Sequence, residues 1–434
     1  MVSFQPLILL LSSIGSSLPL VHPLQMIFHL PVLTLRTILQ IMVEVRAQVL
    51  GGPVHLAGDT VQVCITVTLP SLDPALRAQS SDVCEVLAWG SAQIHCQCSV
   101  NEYRVRLPTS NPKPAEEKAV ANAGTGYTSF APCRGERGHV VLSTKPKILF
   151  CDLQLLPGES RSFVYKETLP CDAPPTYRGQ LLKYAYKITI GTQRLGAPTK
   201  LLRVPIRVIV LRGLSEACVY SESGELAPSN PFLHTPHRDT PRHTALQIIQ
   251  SVSTRKNLSQ YNITNTRGKV VRFCIYKTSF RLGEDIVATF DFSTAEVTCV
   301  QYSVTLQSEE IIAESCRQRP SQKPMLVSYS KAHEVCLNLS HTHLLLPIPL
   351  HVTPTFNTEL VSLQWQLHFE FVTSTSEVKG PSLPPNKNEE IEWRAPSTID
   401  IETMVWDLPI TILPTTPSQV AQAVCMPAQH TLLL

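Results

Sequence analysis

Four side chains in the sequence are spaced as a metal site would be. His341 and His343 alternate along a run that would put both imidazoles on one strand face, with His333 and Cys336 shortly upstream. Such a set suits zinc, but no second pair follows at metal-ligand spacing, and histidines on a solvated strand face explain the pattern without an ion. Asp152 and Glu159 flank the apolar segment "LQLLPG" as the two carboxylates of an acid–base mechanism would, although their place around a Pro-Gly turn fits solvated turn residues better. The segments "RGERG" (134–138) and "STKPK" (143–147) gather Arg134, Arg137, Lys145 and Lys147 into a patch able to hold phosphate or an acidic partner; a Gly-rich hairpin with exposed charges accounts for it equally. The sequence has no phosphate-binding G-x-x-x-x-G-K-[ST], no G-x-G-x-x-G, no H-E-x-x-H and no G-x-S-x-G. These residues describe a binding scaffold, with no catalytic residue and no metal or cofactor site to nominate.

The elements that carry these residues repeat. "HLAGDTVQVCITV" (55–67) and "FRLGEDIVATFDF" (280–292) align at an offset of 225, so that Val61, Val63, Ile65 and Val67 match Ile286, Ala288, Phe290 and Phe292. Period two in both copies predicts a strand with one buried face, entered through a turn glycine, Gly58 or Gly283. "PPTYRGQLLKYAYKITI" and "TPTFNTELVSLQWQLHFEF" align at 179, pairing Tyr177 with Phe356, Tyr186 with Trp365, Ile188 with Leu367 and Ile190 with Phe369. "LLRVPIRVIV" and "VWDLPITILP" follow at 204, each with a proline that predicts an edge strand or a bulge. Three phrases in one order argue for two copies of an all-β unit. Pro 35 against Gly 18, with 43% hydrophobic residues in 434, agrees with two β-sandwiches large enough to bury their own cores.

A formal charge of +3 with scattered Lys and Arg does not describe a nucleic-acid binder. Residues 1–41 lack Asp, Glu and Lys, yet prolines interrupt any membrane span and no charged leader precedes the apolar stretch; they read as an extension outside the fold. "MVEVRAQVL" (42–50) predicts the first strand, with Val43, Val45, Ala47 and Val49 on its inner face. Thirteen cysteines without C-x-x-C pairs, three of them (Cys64, Cys274, Cys299) inside strand patterns, predict reduced thiols in the cytosol, and Cys96 and Cys98 share a strand face awkward for a disulfide. Glycosylation acceptors at Asn257, Asn262 and Asn338 speak for a secreted protein, but about two would arise by chance. The expected organisation is an N-terminal sandwich over 42–211, a linker over 212–268, a C-terminal sandwich over 269–415 and an unstructured tail over 416–434. Within the linker, Thr240 as N-cap, Pro241 at the first position and Leu246, Ile249 and Val252 near helical spacing predict a short helix resting on one sandwich, with a membrane or partner contact as the alternative. Polar insertions are expected at 70–88, 108–130 and 374–400.

The two-sandwich arrangement resembles the arrestin fold. More specifically, "SAQIHCQ", "LSTKPKILFCDLQLLPGES", "LLRVPIRVIVL", "RLGEDIV", "LPIPL", "LVSLQWQLHFEFVTS" and "WDLPITILPT" are similar to the Rgp family, over roughly residues 42 to 415. That resemblance implies all-β architecture, two arrestin-like immunoglobulin-type sandwiches in tandem, and no covalent chemistry. It further implies a partner of the larger Ric subunit in a guanine-nucleotide exchange complex for a Golgi Rab-family GTPase. Such a subunit would be cytosolic and peripheral on Golgi membranes, serving retrograde transport. An arrestin-type cargo or coat adaptor without exchange activity is the alternative. Arg134, Arg137, Lys145 and Lys147 are the expected partner-binding patch.

Overall fold

The computed structural model of the protein describes residues 42–71, 84–107, 138–211, 241–254, 258–378, 397–427 and 429–434. Residues 1–41, Arg134, Arg137, the first part of the expected linker and much of the three expected insertions lie outside them.

The described chain is almost all strand, arranged as two sandwiches. In the first, β1 (Glu44–Leu50), β3 (Thr60–Thr68), β7 (Ser160–Thr168) and β21 (Gln429–Leu433) form one sheet in the order β21-β1-β3-β7. Facing it, β2 (Val54–Leu56), β10 (Lys200–Ile209), β9 (Leu182–Arg194), β4 (Glu85–Val100) and β5 (His139–Ser143) lie side by side, with β6 (Lys147–Leu155) on β4 and β8 (Tyr177–Arg178) on β9. The second sandwich has β11 (Ser259–Asn265), β12 (Gly268–Ile275), β14 (Asp285–Asp291) and β17 (His341–Pro347) in one sheet. Its other sheet runs β13 (Ser279–Arg281), β20 (Ile401–Leu413), β19 (Val361–Ser374), β15 (Cys299–Ile312), β16 (Met325–Val335), with β18 (Phe356–Asn357) on β19.

The repeated phrases occupy equivalent places. Val61, Val63, Ile65 and Val67 on β3 are buried, as are Ile286, Ala288, Phe290 and Phe292 at the matching positions around β14. Gly58 and Gly283 open the two strands at φ +86° and +76°, and a Cβ on Gly283 would stand 2.6 Å from Leu350. Tyr186 donates its hydroxyl to the Pro174 carbonyl at 2.7 Å, and Trp365 donates its indole N–H to the carbonyl of the matching residue, Thr353, at 3.2 Å. Thr176 and Thr355 each accept, through the side-chain oxygen, the amide of the last strand of their copy, from Val208 and Ile412. The copies differ in what fills them. Aliphatic residues dominate the first core, whereas Phe273, Phe290, Tyr302, Phe369 and Trp406 interlock in the second at ring separations of 4.3 to 5.0 Å. Each of the fully buried side chains contributes about 1.5–3 kcal/mol relative to exposure, and Trp406, partly buried, closes the cluster.

Proline in the last strand of each copy does limit pairing. Pro205 faces Lys187 on β9, while parallel β2 covers β10 only from Arg207 to Ile209; Pro409 faces Gln366, and β13 covers only Thr411 to Leu413.

Two boundaries differ from expectation. The second sandwich begins at β11, inside the segment assigned to the linker, because polar, weakly alternating "SQYNITN" pairs with β12 as an edge strand that buries only Ile263. The tail, expected without structure, forms helix α2 (Pro417–Val424) and then β21, which pairs antiparallel with β1 from Glu44↔Leu433 to Gln48↔Gln429. The linker helix α1 (Pro241–Thr254) buries Ala245, Ile249 and Ser253, four residues apart; Val252, placed on that face from the spacing, is exposed. Its first turn brings Arg242 to His55 and Asp59 of the first sandwich, and near its end the Ser253 carbonyl accepts Lys277 Nζ of the second at 3.3 Å. The helix therefore spans both sandwiches instead of resting on one.

Candidate partner-binding surface

Lys145 and Lys147 lie at the turn from β5 into β6, both exposed. The Thr144 amide and hydroxyl hold this turn to Ile94 on β4, so the two lysines sit on a fixed corner of the first sandwich. Lys147 is already engaged. Its Nζ pairs with Glu167 at 2.7 Å, donates to the Lys166 carbonyl at 2.6 Å and stands 5.8 Å from the centre of the Tyr165 ring. Of the expected patch, the described residues thus supply one engaged and one uncommitted lysine.

The other candidates separate. Among the described residues no group of three or more His, Cys, Asp or Glu is placed to hold a metal. His341 and His343 do share the outer face of β17, but His341 leans on Asp291 at 3.4 Å, and Cys336 is buried with its thiol directed at the Cys299 carbonyl. Glu159 caps its own turn, accepting the Leu156 amide at 3.1 Å and Arg161 at 2.7 Å; the amide first and then the arginine hold its carboxyl below the usual range. The eleven cysteines among the described residues are free thiols, and burial pushes Cys96 up to about 12 and Cys98 to about 11. Among the described residues no helix is long and apolar enough to cross a membrane.

A second surface, where the sandwiches meet, escaped sequence reasoning. Glu310, 1% exposed at the end of β15, reaches into the turn before β9 and accepts the amides of Gln180, Leu181 and Leu182 at 2.9 to 3.3 Å. Burial raises its pKa and the three amides oppose that rise. Arg207, 8% exposed on β10, donates to the carbonyls of His351 and Val352 at 2.8 and 3.0 Å across the junction. Tyr177 meets Phe356, its equivalent in the other copy, edge to face at 5.1 Å. Val105 and Arg317 form an antiparallel bridge, with Arg106 N–H donating to the Cys316 carbonyl and Gln318 N–H to the Arg104 carbonyl. Two of these contacts, Tyr177 with Phe356 and Val105 with Arg317, join equivalent positions of the two copies, as contacts near the axis of an isologous dimer do. Beside them opens a cavity of about 500 Å³, lined by Arg178, Lys183, Lys187 and Arg207 from the first sandwich, by Tyr329, Val352 and Leu363 from the second, and by Val424 and Met426 at and after the end of α2. The only sequence signal was "YRGQLLKYAYK", where Arg178, Lys183 and Lys187 stand close together and the two lysines are spaced to share one strand face.

A profile of the Rgp1 family matches residues 113–211 and 218–374, more than half of the chain. The chain belongs to the Rgp1 family. It is 42% identical over 407 residues to RAB6A-GEF complex partner protein 2 of Homo sapiens, covering 91% of this chain and 100% of that relative. A second relative with the same name, from Bos taurus, is 43% identical over 383 residues, with 85% and 93% covered. Membership of the Rgp1 family agrees with the resemblance carried by the strand phrases, and the match to the human relative runs its full length.

Proposed function

We propose that this chain is the non-catalytic partner subunit of a guanine-nucleotide exchange complex that activates a Golgi Rab-family GTPase in retrograde endosome-to-Golgi and intra-Golgi transport. The observation that carries the reading is the end-to-end similarity to relatives named as partner proteins of a RAB6A-GEF complex. In this reading the other subunit is the larger Ric protein, and the pair works peripherally on Golgi membranes.

Physical chemistry is consistent with such a role for a sandwich scaffold. Exchange breaks no covalent bond, so it asks for surface and not for a nucleophile. A factor that binds the nucleotide-free GTPase tightly weakens GDP binding by the same factor, through linkage. An acceleration of about 10³ requires about 4 kcal/mol of preferential stabilisation, within reach of a protein interface. A scaffold whose two halves are tied by Glu310, Arg207 and the Val105–Arg317 bridge loses little conformational freedom on assembly.

The test is release of a fluorescent GDP analogue from a Golgi Rab with this chain, the Ric subunit, or both. Acceleration requiring both proteins is the expected result. No acceleration by the associated, folded pair would overturn the exchange reading in favour of an arrestin-type adaptor.

A further inference from the structure

We propose that the groove between the sandwiches is a docking site for an extended peptide of a partner protein in which acidic residues alternate with apolar ones. The inference rests on the groove alone and holds whether or not the assembled complex exchanges nucleotide.

The two walls of the groove differ in charge, Arg178, Lys183, Lys187 and Arg207 all lying on the first-sandwich side beside Ala185, Pro205 and Ile206. On β9, Lys183 and Lys187 point outward in one row, about 13 Å apart at ~3.3 Å per residue. Arg178 is paired with Lys183 across β8, and Pro205 beside Arg207 is paired with Lys187 across β10. The cations therefore form one wall, and no aspartate or glutamate lines the cavity. Among the described residues neither Arg178 nor Lys183 has a carboxylate partner, and Arg207 is held by neutral carbonyls while its Nε, buried, has no acceptor. Glu310, behind the groove, is already engaged by three amides. A buried guanidinium without a counter-ion, behind two exposed cations, marks a place where an anion is favourable. From the second sandwich Tyr329, 37% exposed, lines the groove over the buried Val352 and Leu363, and the half-buried Met426 joins them.

An extended peptide sends successive side chains to opposite sides. With acidic residues at every second position it would meet Arg178 and Lys183 on one side and Tyr329 and Met426 on the other. A small anion would satisfy the cations and leave the apolar wall wet. A lipid headgroup would do the same, and the site lies in a groove between domains and not on a projecting face. The shape and the pairing of the walls favour the peptide.

The experiment uses the full chain and fluorescence anisotropy of a short labelled peptide that alternates glutamate with leucine. A glutamine–leucine control and vesicles of phosphatidylserine in phosphatidylcholine complete it. Saturable binding of the glutamate peptide alone is expected, with the double substitution Arg178→Glu and Lys183→Glu weakening it about tenfold or more at an unchanged unfolding midpoint. Both side chains are exposed and neither holds the junction, so the variant keeps the fold. Arg207 is left intact because it ties the sandwiches together. Absence of saturable binding, equal binding by the variant, or equal binding of the glutamine peptide would overturn the proposal. Vesicles that displace the peptide through the same two residues would instead assign the groove to anionic lipid.

Discussion

Glu310 shows how one side chain can fix the relation of two domains. Three amides of the turn before β9 converge on its carboxylate, and the residue is 1% exposed. Glu310→Ala strands those donors in a buried junction and is expected to lower stability by about 3 kcal/mol in urea unfolding, with Glu310→Gln losing less because it keeps one acceptor oxygen. Proton linkage acts in opposite senses at two buried groups. The Glu310 pKa is raised, chiefly by burial, so the penalty of its charge in the folded state is relieved as pH falls. His55 is the reverse case: burial first, then the nearby Arg242, lower it from 6.5 to about 4. Between those values the unfolded chain takes up a proton that the folded chain refuses, so His55 makes stability fall as pH drops from about 6.5 towards 4. Its share of the loss amounts to about 2 kcal/mol by pH 5. Asp59, next to it, has its pKa raised by burial and works against that trend. The contribution of His55 is therefore the difference between the wild type and His55→Gln in unfolding free energy at pH 7.5 and pH 5; equal slopes for the two proteins would show that the imidazole is not linked to folding.

At the level of elements, the duplication makes a paired prediction. Ile65 on β3 and Phe290 on β14 occupy matching positions with no exposed surface. Aspartate at either should cost roughly 4 kcal/mol, and the two losses should agree within about 1 kcal/mol; a tolerated aspartate at one of them would break the equivalence. These strands were legible because sustained period-two alternation seldom arises except in a strand with one buried face, and because each copy supported the other. The helix α1 was legible from Pro241 and its spacing, but its buried stripe was not. Ala245 and Ser253, too small and too polar to count in a hydrophobic pattern, pack inward while Val252 stays out. β11 was missed since an edge strand with one buried side chain carries almost no alternation. The groove was missed for a related reason. Its cations sit on β8, β9 and β10 and its apolar side chains largely on the other copy, so no local window contains the whole site, and the cluster Arg178, Lys183 and Lys187 drew less notice than the denser run holding Arg134, Arg137, Lys145 and Lys147.

The whole molecule is closed on itself by its last strand. In the second sandwich β11 flanks β12, and β12 flanks β14; in the first, β21 holds the place beside β1 that β11 holds beside β12. The first copy thus takes its outer strand from the far end of the chain, and α2 brings it there. Lys200 and Arg194 on the facing sheet donate to the carbonyls of Leu433 and Leu434 at 3.1 and 3.4 Å, and Leu434 N–H donates to the Val43 carbonyl at 2.9 Å. Without β21 the amides and carbonyls of β1 become an open edge, a template for association with another chain. Deleting residues 425–434 should therefore lower the first thermal transition by about 5 °C and remove hydrogen-exchange protection from Glu44 to Gln48. Protection of β12 and β14 should be unchanged, because their sheet is completed locally by β11. Size-exclusion chromatography of the truncated chain should show concentration-dependent association that a β1 edge charge, Gln48→Lys, suppresses. Unchanged protection at β1 after the deletion would mean that β21 decorates the sandwich and does not complete it.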